Sequence, residues 1–237
     1  LVRTSPGQGL TTCAHFHPRQ PAMIWASTHL DPASYPPVPP DAGRYAWNFH
    51  PSFDIFSSDL EGKNVRRLTD AADYDAEGTF SPDGTRIVFC SKRTGDPELW
   101  TMASDGSDLH QVTHAKGYDG GPFYSPDGEL ICFRGFRDPE NPRGANLYVI
   151  RPDGSDERQL TFDTGVANWA PYFDPTGQYL VYTRNVGELH NFELFLIPVA
   201  GGKSVQITHH AMADVLPVFS PDGKRLMWTS TRGTGRS

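Results

Sequence analysis

The chain has 237 residues with 21 basic and 28 acidic side chains, a net charge of −7, and three cysteines. That acidic balance disfavours a nucleic-acid backbone as partner. No apolar run approaches the roughly 18 residues of a membrane-spanning helix, so a direct membrane span is excluded as well.

In chain order, residues 1–4 align with the outermost strand of a repeat whose clearer copies come later (compare Gln111-Val112-Thr113). A first, divergent repeat opens at Ala14-His15-Phe16-His17-Pro18, continues at Met23-Ile24-Trp25-Ala26-Ser27, and resumes at Phe53-Asp54-Ile55-Phe56-Ser57. Between these pieces, residues 31–52 form an insertion with several prolines and no strand period. A loop of that length inside a compact domain is usually functional. Tyr45 and Trp47 are its expected anchors and candidate partner contacts.

Four sharper copies follow. Ser81-Pro82-Asp83-Gly84, Ser125-Pro126-Asp127-Gly128, Asp174-Pro175-Thr176-Gly177 and Ser220-Pro221-Asp222-Gly223 are separated by 44, 49 and 46 positions. Proline presets φ for a turn, aspartate bonds its own backbone, and glycine tolerates φ > 0. Around each turn lie short β-type runs, as in Arg86-Ile87-Val88-Phe89-Cys90 and Glu98-Leu99-Trp100-Thr101-Met102, and Asp105-Gly106 then joins the outer two as a hairpin. Four antiparallel strands per 40–50 residues describe the blade of a β-propeller, so the predicted fold is all-β. The count is four whole blades, an orphan outer strand at the start and half a blade at the end. This predicts one propeller domain over residues 1–237, cut at both ends, with about six blades in the full ring. Phe80, Tyr124, Phe173 and Phe219 are expected at equivalent buried positions.

The innermost strand of a blade lines the central channel. Six residues before each turn stand Asp75, Asp119, Asn168 and Asp214, with Thr11 in the divergent blade. This oxygen ring at one channel mouth admits three readings: caps on neighbouring backbone N–H groups, contacts to the basic and amide groups of a docking peptide, or ligands for Ca²⁺. Glu77 and His15 face similar depths. Lys92, Arg93, Arg134, Arg137, Arg184 and Arg232 recur after the second strands and read as solvated turn residues paired with nearby aspartates. His17 replaces the turn serine. Cys90 and Cys132 occupy non-equivalent strand positions and read as buried thiols, whereas Cys13, on an innermost strand, is open to pairing with a cysteine of a first blade that precedes this sequence. The sequence holds no HExxH, GxSxG, P-loop or dinucleotide-binding pattern.

These repeats resemble the Pro-Asp (WD40-like) repeats of the TolB-like propeller family. The most specific stretches are residues 69–84 with Tyr74-Asp75-Ala76-Glu77, Gly117-Tyr118-Asp119-Gly120-Gly121, and Ala167-Asn168-Trp169-Ala170-Pro171. The resemblance implies a periplasmic or secreted, non-enzymatic scaffold of the bacterial cell envelope. Such a protein docks subunits of a membrane-associated complex, needs no cofactor, and would take Ca²⁺ at the channel mouth only under the third reading. Asp75, Glu77, Asp119, Asn168, Asp214, Tyr45 and Trp47 are the partner-binding candidates. The alternatives are a propeller accessory domain of a hydrolase or peptidase, or a channel-based polysaccharide lyase.

Overall fold

A computed structural model describes residues 4–5, 7–31, 33, 49–140, 144–187 and 191–233. The elements named among them are all strands, grouped in sheets that follow chain order. The first sheet joins β1 (Thr11–Phe16), β2 (Ala22–Ser27), β3 (Asp54–Asp59) and β4 (Arg66–Arg67). The second joins β5 (Asp75–Phe80), β6 (Arg86–Thr94), β7 (Asp96–Ala103) and β8 (His110–Gln111). The third holds β9 (Tyr118–Tyr124), β10 (Ile131–Phe136), β11 (Asn146–Ile150) and β12 (Arg158–Gln159). The fourth holds β13 (Asn168–Phe173), β14 (Tyr179–Asn185), β15 (Phe192–Pro198) and β16 (Val205–Gln206). The fifth pairs β17 (Asp214–Phe219) with β18 (Leu226–Ser230). These are antiparallel propeller blades, four of them four-stranded. No helix among the described residues is long and apolar enough to cross a membrane.

Two compact units divide the chain, residues 1–110 and 111–237. In the first, β5 packs across β1, β2 and β3. In the second, β13 packs across β9, β10 and β11, and β17 across β13, β14 and β15. Within each unit these inner strands cover the face of the preceding blade. Ile87-Val88-Phe89-Cys90 and Leu180-Val181-Tyr182 are continuous apolar runs with zero exposure, the pattern of strands buried on both faces. Ile24, Ile55, Phe80, Ile87, Phe89 and Met102 form the core of the first unit. Leu147, Phe173, Leu180, Tyr182 and Phe195 anchor that of the second. Each large side chain so buried contributes about 1.5–3 kcal/mol.

Phe80 and Phe173 are buried as the repeat predicts, but Tyr124 and Phe219 are only half-buried. Phe219 belongs to the sheet that has two strands among the described residues.

The repeated turn has one bonding pattern. Ser81 Oγ donates to Asp83 Oδ1 (2.6 Å) and accepts from Arg86 N (3.0 Å), while Gly84, at φ +76°, donates to Ser81 O (2.9 Å). Ser125 and Ser220 repeat it. Asp174 does the serine's work with its own carboxylate, accepting from Tyr179 N at 2.8 Å. His17 is a turn residue too, its Nδ1 accepting from Arg19 N and Gln20 N, both at 3.1 Å. Only glycine suits position 84, because an added Cβ would lie 2.3 Å from the His17 ring.

Candidate functional site

The first residue of the ring motif always sits opposite the residue sixteen positions on: Thr11 opposite Ser27, Asp75 opposite Ser91, Asp119 opposite Gly135, Asn168 opposite Arg184, and Asp214 opposite Ser230. Two residues further along the chain, at or just past the end of the second strand, stand His29, Arg93, Arg137, Val186 and Arg232. In three blades this spacing brings an arginine onto the buried aspartate.

A β-bulge makes this possible. Phe80 faces Ile87 and Thr79 faces Val88, but after a shift Ala76 faces Cys90 and Asp75 faces Ser91. An unshifted ladder would set Asp75 opposite Lys92, and a slip of one residue turns a strand's side chains to the other face. The slip recurs in β1, β9, β13 and β17. In every blade the residue two after the ring position takes positive φ: Cys13 (53°), Glu77 (60°), Gly121 (61°), Ala170 (50°) and Leu216 (56°). Four of these are not glycine, and two of the four, Glu77 and Leu216, hold the strained conformation where the slip aligns aspartate with arginine.

The pairs are tight. Arg93 Nη2 lies 3.0 Å from both oxygens of Asp75, and its guanidinium stacks over Trp100 at 4.9 Å. Arg137 forks onto Asp119 through Nε (2.8 Å) and Nη2 (2.6 Å), and also reaches Glu157 at 2.6 and 2.9 Å. Phe133 and Tyr148 flank the Arg137 guanidinium at 5.3 and 4.4 Å. Arg232 makes a single bond, Nη2 donating to Asp214 Oδ2. The side chains of Arg93 and Arg137 are only 18% and 15% exposed, so both depart from the expected solvated turn residues. Arg232, at the two-stranded sheet, keeps 39%.

Asp75, Asp119, Asn168 and Asp214 are all fully buried. Burial pushes the Asp75 and Asp119 carboxyls up, against the arginines and hydroxyls that pull them down. At Asp214 burial also raises the value, but bonds involving Ser230, Arg232 and Trp228 outweigh it, and the net direction is down. The fourth blade uses different chemistry. Position 186 is valine and the ring residue is the uncharged Asn168, whose Nδ2 donates to Ala145 O (3.1 Å) and Asp163 Oδ2 (3.2 Å). Arg184 turns to Asp163 Oδ1 at 2.9 Å.

Glu77 is buried and accepts from the Tyr74 hydroxyl at 3.2 Å. His15 Nδ1 accepts from Phe80 N (3.3 Å), and burial lowers its pKa. Tyr45 and Trp47 lie outside the described residues. Among the described residues no disulfide joins Cys13, Cys90 or Cys132, and the last two are buried. Among the described residues no group of three or more His, Cys, Asp or Glu is placed to hold a metal ion.

A second acidic position adjoins the ring. Asp54, at the start of β3, is 5% exposed; Arg67 donates to its Oδ2 (2.6 Å), and its Oδ1 is enclosed without a partner. Burial, with Asp75 and Asp70 nearby, pushes its carboxyl up to about 6 despite Arg67.

Comparison with known proteins agrees with this architecture. The model of the Tricorn protease N-terminal β-propeller domain matches residues 40–188. A TolB homolog of Chlorobium luteolum is 30% identical over 153 residues, 64% of this chain and 33% of the relative. The chain therefore spans about a third of the length of that curated relative. TolB from Acinetobacter baumannii superposes with a TM-score of 0.67 at 18% identity, over 92% of this chain and 48% of the other. An oligogalacturonate lyase from Vibrio parahaemolyticus superposes with a TM-score of 0.62 at 12% identity, over 88% and 59%. At such identities the superpositions establish the fold alone. The repeat itself is TolB-like.

Proposed function

The chain belongs to the family of the Tricorn protease N-terminal β-propeller domain, and on that premise we propose that it is a non-catalytic protein-binding propeller of the bacterial cell envelope, periplasmic or secreted. It docks a protein partner, a subunit of a membrane-associated complex, through the channel mouth and the insertion at residues 31–52. The observation that carries this reading is the fate of the ring carboxylates. A general acid or base must reach a reacting group, but Asp75, Asp119 and Asp214 are buried and held by arginines of their own blades. They act as positioning residues that fix polar groups in one orientation, which suits recognition. Partner contact then falls to the arginine edges, to neighbouring polar groups, and to Tyr45 and Trp47 of the insertion. A proline-rich loop loses little entropy on docking.

The test compares the whole chain with a variant whose residues 31–52 are replaced by a short Gly-Ser linker, each immobilised and exposed to solubilised envelope proteins. The deletion is expected to abolish retention of a specific protein while the melting temperature changes little. Equal retention by both would refute docking through the insertion. Elimination activity on polygalacturonate, read as an unsaturated product, would replace the scaffold reading with the lyase.

A further inference from the structure

Beside Asp119 and Arg137 the third blade opens into a cleft of about 380 Å³. Its floor is Gly135, Arg137, Asn146, Tyr148 and Gln159, and its rim includes Asp138, Phe162 and Asp163. We propose that this cleft is a binding site for a single basic side chain, an alkyl guanidinium or ammonium group. That a docked protein supplies the side chain rests on the scaffold reading above; the site itself does not.

Three independent observations select the ligand. The first is the balance of donors and acceptors. Arg137 directs Nε, Nη1 and Nη2 at Asp119 and Glu157. Asn146 Nδ2 gives one hydrogen to Asp163 O (3.4 Å), and Gln159 Nε2 one to Thr161 O (2.7 Å). Among the described residues Asp138 accepts from Glu140 N through Oδ1 (2.9 Å) and shows no bond at Oδ2, and Gln159 shows none at Oε1. The exposed carboxylate of Asp138 and the amide oxygen of Gln159 are therefore open to the donors of a ligand.

The second observation is charge. Of the charged residues that line the cleft, Asp138 and Asp163 are acidic and Arg137 is basic, and Arg137 is itself paired with Asp119 and Glu157, and Asp163 with Arg184. The excess is negative, and it favours a cation over a neutral or acidic ligand. The third is the rim. Phe162 is 75% exposed, a large aromatic ring left in water at the entrance. Its face is suited to a cation placed over it. Arg137 is already stacked on Tyr148 in this way one step deeper.

The test is a titration of the isotope-labelled chain with N-acetyl-arginine amide and N-acetyl-lysine amide, followed by amide NMR shifts, with neutral N-acetyl-norleucine amide as control. Binding of the basic probes is expected with Kd of about 1 mM, the scale for so few atoms, with shifts confined to residues 135–138, 144–148 and 159–164. Asp138→Asn and Phe162→Ala, both at exposed positions, are each expected to weaken binding by about 3- to 10-fold without changing the fold. Raising the salt to about 0.5 M should weaken it further. Equal shifts with norleucine amide, shifts elsewhere in the chain, or unchanged affinity in both variants would overturn the site. If the probes bind as expected and no envelope protein is retained, the cleft stands and the scaffold reading falls. If a protein is retained but the probes do not bind, the reverse holds.

Discussion

Arg137→Val tests the claim that the ring aspartates depend on arginines of their own blades. The Asp119 side chain is 1% exposed, and Arg137 is its bidentate partner. Removing one member of a buried ion pair leaves an uncompensated charge, at a cost of about 3–5 kcal/mol. For a chain of this size that corresponds to a melting temperature lower by about 6–20 °C. The fourth blade already contains the remedy, because Asn168 and Val186 occupy the same two positions there. The double variant Asp119→Asn/Arg137→Val should therefore recover most of the loss and end within about 1–2 kcal/mol of the parent, a coupling of at least about 2 kcal/mol once any loss in Asp119→Asn alone is added.

The pH dependence sharpens the test. Burial already raises the Asp119 carboxyl, and losing Arg137 raises it further. The single variant's aspartate can then escape its penalty by taking up a proton, so it should be less destabilised at pH 5 than at pH 8. The double variant has no such carboxyl and should lack this added slope. Urea denaturation of the four proteins at both pH values supplies every number needed. Losses that add to within about 0.5 kcal/mol would refute the pairing argument.

Two further outcomes follow from the same geometry. Asp54, raised to about 6 by burial, contributes stability that is complete below its unfolded value of 3.8 and is lost as pH rises through about 6; Asp54→Asn should flatten that part of the pH–stability curve, by about 1–3 kcal/mol, and an unchanged curve would show that Arg67 already satisfies the carboxylate. Gly121→Ala, at a bulge with φ +61°, should lower stability by about 1 kcal/mol, or about 2–4 °C, without unfolding the blade, since Ala170 takes the same conformation; loss of the fold would mean that the bulges are not equivalent.

The fold could be read in the sequence because its punctuation is chemical. A turn that needs a preset φ, a side-chain acceptor and a left-handed residue must use proline, serine or aspartate, and glycine, so four copies are visible without any structure. The ring positions were legible for the same reason, being at a fixed distance from those turns. The arginines were legible only as solvated residues paired with nearby aspartates, not as the partners of the ring, although a signal was present: Asp75 and Arg93, Asp119 and Arg137, and Asp214 and Arg232 are each 18 apart, and Asn168 and Val186 change together at the same spacing. Seeing it required the register of the inner hairpin. Counting back from the turn predicts Asp75 opposite Lys92, which leaves Arg93 on the far face, where a solvated turn residue is the natural reading. The bulge moves Arg93 to the near face, and its residue in most blades is cysteine, glutamate, alanine or leucine, none of which announces a positive φ. One unmarked residue per blade therefore decides whether the arginine meets solvent or a buried carboxylate. The site's electrostatics depend on a backbone irregularity that composition and spacing alone do not encode.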